Sequence, residues 1–222
     1  MKKGWAPVAL VVTVAVGLSL WFGLRSTTPT TTTTATSTTV SAAAIQSVWP
    51  TPFSGVTYAT PSTAARGFAT EFLGMKSPVV GVFRQGDSRS GEVDIQSTSR
   101  GPTTTALVRQ LGTDSSWSVI GATTPDVVIT SPATLSVVAS PVALRGRSTA
   151  FEGVVNVSLR DDVSATPLAA TTMMGGSNGV MGPFGANLMF ATPRSGYGDL
   201  TLYLRSAKDG SLMCASVIRV RF

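Results

Sequence analysis

Alternation of apolar and polar side chains over residues 126–222 is the sequence feature that most restricts how this chain can fold. The clearest runs lie at 151–160, 184–190, 200–205 and 212–222. A period of two residues is typical of strands that bury one face of a sheet. About seven such runs in about 95 residues predict an immunoglobulin-like antiparallel β-sandwich. The alternation places Phe151 and Cys214 inward and Tyr203 outward.

Residues 48–125 carry a helical pattern before the strand patterns begin. We predict a helix that starts after Pro61, with Ser62 or Thr63 as its N-cap, and ends at Gly74. The residues that form its apolar face are Ala64, Phe68, Phe72 and Met75. Their spacing matches the helical repeat, so this face is expected to pack against a sheet.

Four strand candidates follow this helix, and turn-forming residues separate them. They are Val79–Phe83, Gly91–Ile95, Thr103–Leu111 and Ser116–Gly121. One helix and a four-stranded meander predict a small α+β domain over 48–125, with Trp117 in its core. The sandwich domain over 126–222 follows, so the fold class is mainly β.

An uncharged apolar run from Trp5 to Leu24 stands near the start of the chain. At about 1.5 Å per residue it is about 30 Å long, which matches the hydrocarbon core of a bilayer. We therefore predict a transmembrane signal-anchor over 1–25, and Lys2 and Lys3 favour a cytoplasmic N-terminus. A cleaved signal peptide is the alternative, but no small-residue cleavage motif directly follows the run.

The stretch over 26–47 consists almost entirely of threonine, serine, alanine and proline. Such a composition buries too little apolar surface to offset the loss of chain entropy on folding. We predict a disordered tether that holds the remaining chain outside the cytoplasm, at the cell membrane.

Enzyme chemistry is poorly supported, because the chain has no histidine and a single cysteine. Ser-His-Asp and Cys-His arrangements need histidine, and zinc sites of the Cys/His type need three or four ligands. Asp161 and Asp162 are interpreted as solvated turn residues, with a calcium site as the alternative. We predict no catalytic residue, no bound metal and no cofactor.

The distribution of charged residues indicates one candidate binding surface. Three of the 17 basic residues flank the apolar run, which leaves 14 against 11 acidic residues in the rest of the chain. This excess is too small to indicate nucleic-acid binding. Alternation sends four arginines to the outer face of one predicted sheet, and a solvated face is the alternative to a binding surface. The candidate patch for an anionic partner consists of Arg160, Arg205, Arg219 and Arg221.

The sandwich segment also resembles a known family, the immunoglobulin-like domain of bacterial sporulation and spore germination proteins. The matching residues are Ser140-Pro141-Val142, Gly146, Ala150-Phe151-Glu152-Gly153, Leu159-Arg160-Asp161, Gly182-Pro183-Phe184 and Ala207-Lys208-Asp209-Gly210-Ser211. The resemblance implies the sandwich fold and a bacterial, extracytoplasmic setting.

These observations lead to two hypotheses for function. In the first, the chain is a non-catalytic, membrane-anchored interaction or scaffold protein of the bacterial cell envelope, with a protein partner. In the second, it is an accessory protein that binds a cell-wall polymer or an anionic lipid, linked to sporulation or germination only through the family resemblance.

Overall fold

The computed structural model describes residues 41–222. The first part of this region contains α1 Ala42–Gln46, α2 Pro61–Gly67, a π-helical turn Phe68–Phe72, β1 Val79–Asp87, β2 Ser90–Gln96, β3 Thr103–Gln110 and β4 Trp117–Thr123. The second part contains β5 Val127–Ser131, β6 Val142–Ala150, a 3-10 turn Phe151–Gly153, β7 Val154–Asp161, β8 Ala169–Met174, β9 Gly176–Ser177, β10 Gly182–Leu188, β11 Tyr197–Arg205 and β12 Leu212–Arg221.

The N-cap of α2 lies two or three residues before the predicted caps. Thr60 is the N-cap, and its hydroxyl accepts the backbone N–H of Thr63 at 3.2 Å. Thr63 Oγ1 in turn accepts the N–H of Thr60, so both donors are satisfied in a reciprocal capping box. Phe68 is fully buried, which confirms the predicted apolar face, and Gly74 ends the helical segment with a φ of +73°.

Within residues 41–222 the strands form two sheets, and the mainly β, antiparallel prediction is confirmed. The larger sheet has eight strands in the order β1-β2-β3-β4-β12-β11-β7-β8. The smaller has the order β10-β6-β5, with β9 alongside β6 in parallel. β4 pairs with β12 where Ala122 lies opposite Val217, so the meander and the sandwich share one continuous sheet.

In the described part of the chain this shared sheet separates two cores, and β12 contributes to both. Cys214 and Val220 face the smaller sheet, inside the sandwich, which confirms the inward prediction for the cysteine. Ala215 and Val217 belong instead to the core beneath α2. The predicted outer face of the sandwich is therefore covered in part by the helical layer, and Tyr203 packs against that layer.

Phe151 is not a core residue, so its inward prediction is wrong. The alternation breaks there because Phe151 begins a 3-10 turn, and its side chain is 60% exposed. Phe151→Ala should change the free energy of unfolding by less than about 1 kcal/mol. Phe184→Ala, at a buried position between the sheets, should cost several times more. Chemical denaturation of the two variants checks this, and equal losses would contradict it.

The ordered chain begins earlier than the sequence indicated. Residues 41–47, assigned to the tether, contain α1, which Ser41 caps, and Ser47 is buried. The predicted signal-anchor over 1–25 and the tether residues 26–40 lie outside the described residues. Within 41–222, no helix has both the length and the hydropathy needed to cross a bilayer.

Candidate anion-binding site

The structure separates the four arginines of the candidate patch. Arg160 and Arg205 are exposed and line one pocket on the outer face of the larger sheet. Arg221 is also exposed, but it pairs with Tyr197 at the other end of β11 and does not line that pocket. Arg219 is only 1% exposed, so its assignment to a solvent-facing patch is wrong.

Arg219 is buried because α1 covers the end of the sheet where it emerges. Its Nη1 donates to Asp162 Oδ1 at 2.5 Å and to Asp199 Oδ1 at 3.1 Å, and its Nη2 donates to Asp162 Oδ2 at 2.6 Å. The backbone carbonyls of Ala44 and Ile45 accept from Nη2 and Nε, at 2.8 and 3.2 Å. The guanidinium thereby fastens the N-terminal segment to the sandwich.

Burial of this ion cluster shifts the pKa values of its members. Burial raises the pKa of Asp199 to about 7, and the charge of Arg219 opposes that rise only in part. Burial alone would lower the pKa of Arg219, but its hydrogen bonds to Asp162 and the charge of Asp199 raise it. The cluster holds one guanidinium against two carboxylates, so Asp199 is the member whose charge is least stabilised.

A pocket of about 110 Å³ lies farther along the same face and is called the arginine pocket here. Its polar lining comes from β7 and β11 and consists of Ser158, Arg160, Thr201, Tyr203 and Arg205. Phe72, Leu73 and Leu212 supply its apolar walls, so the end of the helical segment shields one side. No carboxylate lines the pocket among the described residues.

Strand register fixes how these groups are arranged. Ser158 and Thr201 lie directly opposite each other on β7 and β11. Arg160 is two residues C-terminal to Ser158 on β7, and Arg205 is four residues C-terminal to Thr201 on β11. Because the two strands are antiparallel, the arginines lie in opposite directions from the Ser158–Thr201 pair. Arg205 is held over the Tyr203 ring, 5.1 Å from its centroid. The arginines therefore stand at opposite ends of a floor of hydroxyl groups.

Ser158 gives the strongest sign that the arginine pocket accepts a ligand. The residue is 9% exposed, and its Oγ has no hydrogen-bond partner among residues 41–222. A buried hydroxyl without a partner costs about 1–3 kcal/mol, so such groups are uncommon in folded proteins. An anionic oxygen that accepted its proton would satisfy it, and the two guanidinium groups would balance the charge.

The other candidate residues have structural roles. Asp161 is buried and accepts the backbone N–H groups of Ser164 and Arg194, both at 2.6 Å. Burial would raise the pKa of Asp161, but these hydrogen bonds lower it. Neither Asp161 nor Asp162 is a solvated turn residue, which corrects that interpretation. No group of three or more potential metal ligands occurs within 41–222.

Cys214 lies in the sandwich core, and burial raises the pKa of its thiol to about 12. It is therefore an unreactive apolar group at neutral pH. Ser158 and Thr201 were missed by the sequence reasoning, although the alternation that selected Arg160 places them on the same face. The missing information was the position of the helix end that forms the pocket wall.

The sandwich segment is similar to a known protein family. Residues 126–211 match the model of one family, the immunoglobulin-like domain of bacterial spore germination. No curated protein and no solved structure shows significant similarity to the chain. The chain therefore contains an immunoglobulin-like domain of the kind found in bacterial spore germination.

Proposed function

We propose that this chain is a non-catalytic, membrane-anchored interaction protein of the bacterial cell envelope that binds a phosphate group of an envelope lipid or polymer. The observation that carries the proposal is the arginine pocket. Ser158 offers it an unpaired hydroxyl, and Arg160 and Arg205 offer it positive charge. A phosphodiester presents several oxygens to donors placed on different sides, as these are.

Membrane attachment rests on the apolar run from Trp5 to Leu24 and on Lys2 and Lys3. Anchoring would keep the pocket close to the envelope, where lipid head groups and anionic polymers are concentrated. A weak single site then suffices, because tethering raises the effective concentration of the ligand.

The non-catalytic assignment rests on what surrounds the pocket. The chain has no histidine to act as a base. The nearest buried carboxylates, Asp162 and Asp199, are bound to Arg219. A hydroxyl pair and two guanidinium groups can hold an anion, but they supply no general base at neutral pH.

The binding test uses the full chain in mild detergent and measures affinity by calorimetric titration. One arm uses poly(glycerol phosphate) and the other uses soluble short-chain phosphatidylglycerol, so that a polymer and a lipid source are distinguished. Arg160→Ser and Arg205→Ser should each weaken binding about tenfold, which corresponds to about 1.4 kcal/mol. Arg145→Ser changes an exposed arginine on the smaller sheet and is the matched control. Equal affinities for the Arg160 and Arg145 variants would refute the proposal.

Ser158→Ala separates binding from folding. The variant removes a buried hydroxyl that has no partner, so its melting temperature should equal or exceed that of the wild type. Its affinity for either phosphate ligand should nevertheless fall several-fold. If the variant melts at a clearly lower temperature, the hydroxyl is satisfied within the fold, and the main argument for the pocket is lost.

A further inference from the structure

The two edges of the larger sheet are built differently. Edge strands expose unpaired backbone groups, and proteins protect them with bulges, charges or proline. β1 has two irregularities in its pairing with β2, and it carries Arg84 and Asp87. Arg84 also forms ion pairs with Glu92 and Asp94 on the neighbouring strand. This edge therefore has the usual protection against pairing with another chain.

β8, at the opposite edge, carries no bulge, no charge and no proline. It consists of two alanines, two threonines and two methionines over Ala169–Met174, and it pairs with β7 without a register shift. Thr171 and Thr172 are exposed, and Met174 is 65% exposed. Within residues 41–222, β7 is the only strand that pairs with β8. Its outer edge is a regular, uncharged template for a further strand.

β10, one of the two edge strands of the smaller sheet, lies on the same flank of the sandwich and contacts β8. None of the 17 basic and 11 acidic residues of the chain falls in β8 or β10. Met189 is 73% exposed just after β10, and nearby Ala191 donates its N–H to Leu168, next to the start of β8. Depletion of charge and exposure of methionine are typical of the centre of a protein interface.

We infer that a second copy of this chain pairs with the free edge of β8 in antiparallel orientation, about a two-fold axis that passes through Thr171 or Thr172. A two-fold axis normal to the sheet keeps the core side of both copies on one face. Residues that pair must therefore point to the same face, so their sequence numbers differ by an even number. An axis at Thr171 pairs it with itself and places Ala169 opposite Met173. An axis at Thr172 places Ala170 opposite Met174.

Both registers favour self-pairing. Each places a small side chain opposite a large one and a threonine opposite its own copy, and threonine pairs stabilise neighbouring strands. No like charges meet, because β8 has no charged residue. Two-fold interfaces that use the same surface of both copies are the commonest form of association. Pairing through β8 does not use the residues that line the arginine pocket, so the two proposals can fail separately.

The first test measures the mass of the full chain in mild detergent by sedimentation. Thr172→Lys adds two like charges near the proposed axis and should raise the dimer dissociation constant at least tenfold. Val82→Lys is the matched control, because Val82 is 81% exposed on the protected edge β1, and it should leave dimerisation unchanged. A monomeric wild type, or equal effects of the two lysines, would overturn the inference.

The second test detects the contact directly by disulfide formation with an added mild oxidant. Directly opposed residues on paired strands have Cβ atoms about 4.5–5.5 Å apart, close enough for a disulfide after a small adjustment. Thr171→Cys or Thr172→Cys should form a crosslinked dimer much faster than Val82→Cys. The native Cys214 is fully buried and should not interfere. Equal rates at both edges of the sheet would contradict the predicted pairing.

Discussion

Arg219→Met should lower the free energy of unfolding at pH 8 by about 3–5 kcal/mol, because it leaves two buried carboxylates without a partner. The methionine side chain fills a similar volume, so the loss comes from charge and hydrogen bonding rather than from a cavity. Asp162 and Asp199 would lose their guanidinium partner, with side chains only 3% and 5% exposed. The carbonyls of Ala44 and Ile45 would also lose their donors.

Denaturant unfolding of the full chain in mild detergent measures this loss. Arg221→Met, two residues along the same strand but exposed, is the matched control and should stay within about 0.5 kcal/mol of the wild type. Adding Asp162→Asn and Asp199→Asn to Arg219→Met should recover part of the loss, since both uncompensated charges are then gone. A loss below about 1 kcal/mol for the single variant would show that the cluster is not fully desolvated.

Much of this fold is local in origin and could be predicted from the sequence. Alternation and turn residues predicted the meander strands to within a few residues; β3, for example, covers Thr103–Gln110 where Thr103–Leu111 was predicted. The helix face was found because the helical repeat is equally local, with Phe68 at its centre. Phe151 was misplaced because a short turn interrupts the period, and alternation does not indicate where a strand stops.

The candidate site depended on information that is not local. Alternation assigns a side chain to one side of a sheet, but it does not say what covers that side. Arg219 and Arg160 were therefore predicted to be alike. The structure covers Arg219 with α1 and leaves Arg160 exposed beside the helix end. Ser158 could not be singled out either, because its missing hydrogen bond is a property of the assembled pocket.

Burial of the cluster formed by Arg219, Asp162 and Asp199 also makes the stability of the fold depend on pH. The groups that face Asp199 are Arg219, Asp162 and Arg160. Burial, with a smaller contribution from the charge of Asp162, raises its pKa to about 7, and Arg219 and Arg160 lower it only in part. An aspartate in the unfolded chain has a pKa of about 3.9. Between these values the folded state binds more protons than the unfolded state, so stability falls as the pH rises from about 4 to about 7. Above about 7 this contribution is constant.

Asp199→Asn should remove that dependence. The asparagine oxygen can still accept the hydrogen bond from Arg219 Nη1, but it carries no charge to be desolvated. The rise in the pKa of Asp199 from about 3.9 to about 7 corresponds to about 4 kcal/mol, so the variant should match the wild type near pH 4 and exceed it by up to that amount at pH 8. Asp162→Asn is the control: it loses one of two short bonds to Arg219 and should be less stable than Asp199→Asn at pH 8. The measurement is the difference in unfolding free energy between Asp199→Asn and the wild type across this range. A difference that does not grow with pH would mean that Asp199 stays ionised in the folded protein at every pH tested.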